Sequence, residues 1–143
     1  TEPMNKGGTI TVKGLRITMT DARHSSSFDD SGIVYLGEPA GFVVKLENGQ
    51  TIYYAGDTSL FGDMKLIGEL YKPDIAFLPI GDRFTMGPEQ AAIACRWLQL
   101  RKMVPIHWGT FSMLTGTPAA LKAALAESGT ACEVVEVEPG VAF

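Results

Sequence analysis

Two histidines, His24 and His107, are present in the 143-residue chain, and each sits just after a segment that reads as a β-strand. Asp57, in the run Ala55-Gly56-Asp57-Thr58, holds the same kind of position. Side chains at strand ends gather along one rim of a sheet, where layered α/β folds place their sites. Two imidazoles and a carboxylate gathered there form a ligand set for zinc, manganese or iron. A carboxylate bridges two metals through its two oxygens. Two metals about 3.5–4 Å apart hold a hydroxide nucleophile and polarise a substrate oxygen. Each residue also has a plainer reading. A histidine at a strand end is commonly a capping or core residue, and Asp57 suits an Asx-turn or the N-cap of a following helix.

Further polar residues fall on the same rim. Asp82 and Arg83 follow an apolar run, and Asp82 is placed to orient a ligand histidine as a hydrogen-bond acceptor. A solvated loop pair is the alternative. Phe84-Thr-Met-Gly-Pro-Glu89 reads either as a substrate-contacting loop or as a strand-to-helix connection in which Thr85 or a neighbour caps the helix opened by Pro88. Gly37-Glu-Pro-Ala-Gly41 reads as a tight turn into a strand.

The elements that carry these residues are legible from periodicity. Residues 9–22 alternate, are rich in β-branched side chains and break at Gly14, which predicts a hairpin. Residues 24–32 are polar and read as a loop, with a short strand over Ile33 to Leu36. A second hairpin joins Gly41–Leu46 to Thr51–Ala55 through an Asn48-Gly49 turn. Leu60, Met64, Leu66, Ile67 and Leu70 fit one helical face, and Pro73-Asp74 ends that helix. Ile75 to Ile80 predicts a buried strand. Pro88 opens a second helix, with Ala91, Ala92, Cys95, Trp97 and Leu98 on its apolar side. Lys102 to His107 is another strand. Thr117 caps a third helix opened by Pro118, with Leu121, Ala124 and Leu125 inward, and Glu133 to Val137 is a last strand. Two hairpins followed by repeated helix and strand predict an α/β layered fold.

The totals agree with one globular domain: 45% hydrophobic and 20% charged residues, with a net charge of −4. No apolar stretch nears the roughly 18 residues of a membrane span, so no membrane is expected. Lysine and arginine are scattered rather than striped, so no nucleic-acid partner is expected. Cys95 and Cys132 lack metal-site spacing and are expected as free thiols in a cytoplasmic protein.

Taken in order, the segments Ala22-Arg-His24-Ser-Ser, Gly32-Ile-Val-Tyr-Leu-Gly-Glu-Pro-Ala-Gly-Phe-Val-Val44, Ile52-Tyr-Tyr-Ala-Gly-Asp57-Thr58, Leu60-Phe-Gly-Asp63, Leu78-Pro-Ile-Gly81, Phe84-Thr-Met-Gly-Pro-Glu89 and Pro105-Ile-His107-Trp-Gly-Thr110 closely resemble one group. It is a set of small proteins of the metallo-β-lactamase superfamily called metal-dependent hydrolases. The resemblance covers nearly the whole chain. It implies an αββα sandwich with the site at the edge between two sheets. By the same resemblance His24 is a ligand of a first metal, His107 a ligand of a second, and Asp57 the bridging, catalytic carboxylate. Two divalent cations are implied, zinc before manganese or iron. The implied reaction is attack of a metal-bound hydroxide on an ester, lactone, amide or phosphoester of a small-molecule substrate, in a homo-oligomeric enzyme.

One departure from the pattern shapes the expectation. The superfamily's first ligand cluster, His-X-His-X-Asp-His, belongs upstream of Gly7-Gly8, and residues 1–6 do not carry it. Residues 1–143 are therefore expected to form the C-terminal portion of an incomplete domain. Alone it should be inactive and aggregation-prone, its sheet edges unpaired. It is expected to act with an N-terminal fragment of the same protein that supplies the missing ligands, whether the chain is cleaved, natively split or a fragment. Two alternatives stand beside this: a non-catalytic binding or assembly module with vestigial ligands, and a sugar-phosphate lactonase, for which Arg23 and Arg83 are the cations placed to help.

Overall fold

The computed structural model describes residues 1–138, 140 and 141. Strands β1 (Thr9–Val12) and β2 (Leu15–Asp21) form the first hairpin, and its turn residues Lys13 and Gly14 both take positive φ, at 50° and 80°. Strands β5 (Ala40–Lys45) and β6 (Thr51–Tyr54) form the second, turning at Gly49 with φ 90°. Between them lies a separate small hairpin, β3 (Ser27–Asp29) with β4 (Ile33–Tyr35). The predicted loop over residues 24–32 is corrected to this extent: Ser27 to Asp29 are strand, paired antiparallel with the apolar run that follows.

Beyond β6 the chain changes to helix–strand units. Helix α1 (Met64–Tyr71) leads to β7 (Ile75–Pro79), α2 (Pro88–Leu98) to β8 (Lys102–Ile106), and α3 (Pro118–Glu127) to β9 (Glu133–Val134). These crossovers make β6, β7, β8 and β9 parallel, while β1, β2, β5 and β6 are antiparallel. The result is one seven-stranded mixed sheet in the order β1-β2-β5-β6-β7-β8-β9. Pro88 and Pro118 stand in the first turns of their helices, and the Thr117 hydroxyl accepts the Ala120 amide at 3.1 Å, as read from the sequence. Gly87, not Thr85, is the N-cap of α2: the Gln90 side chain reaches back to its amide at 3.3 Å.

Alternation gives the sheet two unlike faces. On one, Val43, Tyr53, Ala76, Leu78 and Met103 join Met64, Ile67, Ala91, Cys95, Leu98, Leu121 and Leu125 in a single buried cluster, so the helices cover this side. On the other, register aligns Ile17, Val44, Ile52 and Ile75 in one row and Met19, Phe42, Tyr54 and Phe77 in the next. This second face is apolar, yet most of it is only half-buried. One helical reading is corrected. Leu66 and Leu70 are 52% and 71% exposed, and Gly68 takes the inward position instead. The reason is close packing: a Cβ at Gly68 would stand 2.6 Å from the Trp97 carbonyl oxygen, so α1 approaches α2 too closely there for a larger residue.

Candidate active site

The strand ends meet through a web of short hydrogen bonds. At the end of β2, the Arg23 amide donates to the Thr58 hydroxyl at 2.8 Å, and the Arg23 carbonyl accepts from the Ser59 amide at 2.9 Å. The fully buried Thr58 hydroxyl donates onward to the Ser59 carbonyl at 2.9 Å. The Thr58 carbonyl accepts from the Met86 amide at 3.0 Å. One threonine thus ties together the loops that bear His24, Asp57 and the 84–89 segment. The β7 and β8 ends are joined likewise, since the Ile80 amide donates to the Ile106 carbonyl at 3.0 Å. Thr58 appeared in the sequence only as a motif letter. A threonine following Gly-Asp at a strand end was the available signal.

Asp57 and His107 are brought together: Asp57 Oδ2 lies 3.6 Å from His107 Nε2, with their side chains 49% and 26% exposed. His107 is held in the left-handed region, at φ 54°, a conformation that costs a non-glycine residue energy and concentrates at functional sites. Asp82 and Arg83, on the neighbouring strand end, share it at φ 64° and 56°. Gly81 lets the two loops touch. A Cβ there would stand 2.1 Å from the His107 carbonyl oxygen and 3.1 Å from Nδ1. That Nδ1 is buried and has no hydrogen-bond partner among the described residues.

His24 sits on the loop tied down by Thr58, and its Nδ1 lies 2.7 Å from the Ser25 carbonyl. Among the described residues no hydrogen bond joins Asp82 to a histidine. Its carboxylate accepts the Thr115 hydroxyl at 3.3 Å, and it lines a cavity of about 520 Å³ with Pro88, Thr115, Gly116 and Ala124. Thr85 is buried and donates to the Met86 carbonyl at 3.3 Å. Arg23 is engaged by Asp21 at 2.8 Å, and Arg83 lies over the Phe84 ring at 5.6 Å. Lys6, hydrogen-bonded to Asp21, holds that carboxyl below its ordinary range.

The donors can be tested against a divalent cation. Two ligands about 2.0–2.1 Å from a tetrahedral zinc ion stand roughly 3.3 Å apart, so the 3.6 Å between Asp57 and His107 suits a shared ion. In number the set falls short. No group of three or more His, Cys, Asp or Glu side chains suited to a metal is assembled among the described residues, whereas a catalytic zinc takes three protein ligands. The described residues fit part of a metal centre in type and spacing.

Comparison with known proteins identifies relatives of this chain. The chain is 51% identical over 140 residues to a UPF0173 metal-dependent hydrolase of Rubrobacter xylanophilus, a match covering 96% of this chain and 58% of the relative. It is 50% identical over 141 residues to one of Solibacter usitatus, covering 98% and 60%. Among solved structures it resembles Igni18, a metallo hydrolase from Ignicoccus hospitalis, with a TM-score of 0.82 at 38% identity over 96% of this chain and 57% of that one. It also resembles an isothiocyanate hydrolase from Delia radicum gut bacteria, with a TM-score of 0.71 at 25% identity over 99% and 60% of the two chains. The chain therefore spans somewhat more than half the length of the relatives it matches. The model of the beta-lactamase superfamily domain matches residues 1–108. With the mixed sheet and helical layer in the arrangement of metallo-β-lactamase-fold structures, this chain belongs to that superfamily.

Proposed function

We propose that this chain carries half of the active site of a metal-dependent hydrolase, and that Asp57, His107 and His24 hold its divalent cations together with donors from outside this chain. The observation that supports the reading most is the approach of Asp57 Oδ2 to His107 Nε2 at 3.6 Å on a rim built from four strand ends. Relatives named metal-dependent hydrolases extend well beyond the region matched here. The half-buried row of Met19, Phe42, Tyr54 and Phe77 offers the surface on which the rest of such a protein packs. That packing would form the second sheet layer of the αββα sandwich and give the orphaned His107 Nδ1 a partner.

Bound cations supply Lewis acidity and a deprotonated water at neutral pH. The chain's own residues do the rest. Asp57, with its side chain 49% exposed, would hold the cations through its carboxylate. His107, held in the left-handed region beside Gly81, presents Nε2 toward Asp57. Thr58 holds the His24 loop against the Asp57 loop, so the separation between their donors is preset rather than gathered on binding. Substrates of the expected class are small esters, lactones, amides or phosphoesters. The similar isothiocyanate hydrolase acts, by its name, on a further carbon electrophile, the isothiocyanate carbon.

The test is elemental analysis together with a hydrolysis panel over those substrates, on the complete protein and on its Asp57→Asn and His107→Gln variants. About two cations per protein, lost with activity in either variant, would support the reading. A metal-free, inactive but folded complete protein would overturn it in favour of a binding module with vestigial ligands.

A further inference from the structure

The two cysteines are distant in sequence and adjacent in the fold. Cys95 is fully buried on the inner side of α2, and Cys132, half-buried just before β9, packs against the cluster that contains it. The connection between α2 and β8 fixes this proximity from both sides. The Leu100 amide donates to the Cys95 carbonyl at 3.0 Å, and the next residue, Arg101, accepts the Glu133 amide at 2.8 Å. Cys95 itself and Glu133, the residue after Cys132, are therefore bonded to the adjacent residues Leu100 and Arg101. A surface cleft of about 350 Å³, lined by Cys95, Arg96, Arg101, Thr130 and Ala131 among others, reaches Cys95 and ends at the residue before Cys132. None of these residues belongs to the Asp57–His107 rim.

We propose that Cys95 and Cys132 form a reversible dithiol–disulfide site, oxidised by hydrogen peroxide, that tethers β9 to α2. The reaction has two steps. The Cys132 thiolate attacks the peroxide O–O bond, forming an S–O bond and expelling hydroxide, which leaves as water. Cys95 then gives up its proton, and its sulfur attacks the Cys132 sulfenic acid. The S–S bond forms, the S–O bond breaks, and the departing hydroxide takes that proton as a second water. Two thiols lose two electrons, and one peroxide becomes two waters. The division of roles follows from the surroundings. Cys95 beside it holds the Cys132 thiol below the ordinary cysteine range, whereas Cys132 and burial push the Cys95 thiol up. Cys132 is the more exposed of the two and therefore the attacking thiol; Cys95 is the resolving one.

What the tether would restrain is the weakest edge of the sheet. β9 spans only Glu133–Val134 and, among the described residues, pairs with β8 alone. Closing a long loop constrains the unfolded chain more than the folded one.

The experiment is peroxide treatment of the native protein, with and without later dithiothreitol, read by intact mass, peptide mapping and melting. The expected result has three parts. Mass falls by about 2 Da, and the tryptic peptide Phe84–Arg96 becomes joined to the peptide bearing Cys132. Dithiothreitol reverses both changes. The oxidised form melts about 5 °C or more higher. Cys132→Ala, which changes only the half-buried partner, should abolish the mass loss and the melting shift together. Cys95→Ala should instead leave a sulfenic acid at Cys132 that dimedone traps. Retention of both thiols, oxygen addition in wild type without the cross-link, or a cross-link between separate chains would each overturn the proposal.

Discussion

Gly81→Ala probes how firmly the fold fixes His107. The new Cβ would stand 2.1 Å from the His107 carbonyl oxygen and 3.1 Å from Nδ1. A carbon and a carbonyl oxygen settle no closer than about 3.3 Å, so the two loops must part by roughly 1 Å. Neither is free to yield. The Ile80 amide is bonded to the Ile106 carbonyl at 3.0 Å, and the Gly81 carbonyl accepts from Gly116 at 3.3 Å. Overpacking of this kind costs about 1–3 kcal/mol. Alanine's lower entropy in the unfolded chain returns about 0.4–1 kcal/mol, leaving a net loss of about 1 kcal/mol. Urea denaturation measures the loss, and the His107 ring resonances report the displacement. In the complete enzyme, moving a donor by that distance should lower kcat/KM by about 100-fold. Gly62→Ala is the control, since a Cβ there meets nothing within 4 Å. The reasoning fails if Gly81→Ala stays within about 0.5 kcal/mol of wild type with its His107 ring signals unmoved.

Other substitutions probe neighbouring joints. Thr58→Val removes the hydroxyl that accepts Arg23 and donates to Ser59; it should cost about 1–2 kcal/mol, and hydrogen exchange should show faster opening at the Arg23 amide. Gly68→Ala ordinarily strengthens a helix by up to about 1 kcal/mol. Here contact with the Trp97 carbonyl at 2.6 Å should reverse the sign, to a loss of about 1–2 kcal/mol in denaturation. Lys6→Met tests the pH dependence. The folded Asp21 carboxyl titrates below its unfolded value of 3.8 because Lys6 bonds it, so this stabilisation is present above that value and is lost as pH falls through the folded value. The variant should therefore be less stable by about 0.5–1 kcal/mol at neutral pH. The gap should close in strong acid, and it would refute the assignment if it widened there.

Much of the scaffold was legible because its punctuation is local. Gly14 and Asn48-Gly49 announce hairpins, and Pro88 and Pro118 open helices, through backbone preferences that need no partner. Helix faces were less so. Leu66 and Leu70 fit the apolar period of α1, yet the close approach of Trp97 selects Gly68 for the inward position, a fact set by a helix about 30 residues away. For the candidate site, residue type and strand-end position pointed to Asp57 and His107, which the fold brings to 3.6 Å. Sequence did not reveal what holds them. Thr58, Gly81 and the left-handed backbone of His107 act through contacts between loops that only the folded chain creates.

The strand order has a kinetic consequence. Apart from the small β3–β4 excursion, each strand of the sheet pairs with the one made just before it. Such a sheet grows by successive additions: the β1–β2 and β5–β6 hairpins close short turns, whereas β7, β8 and β9 each wait on a helical crossover, and long-range parallel pairing of that kind forms slowly. The β5–β6 hairpin, with its tight turn, is the natural seed. Growth from it proceeds toward β2 on one side and through β7 and β8 on the other. The rim that holds Asp57 and His107 is then complete as soon as β8 docks, ahead of α3 and β9 in chain order.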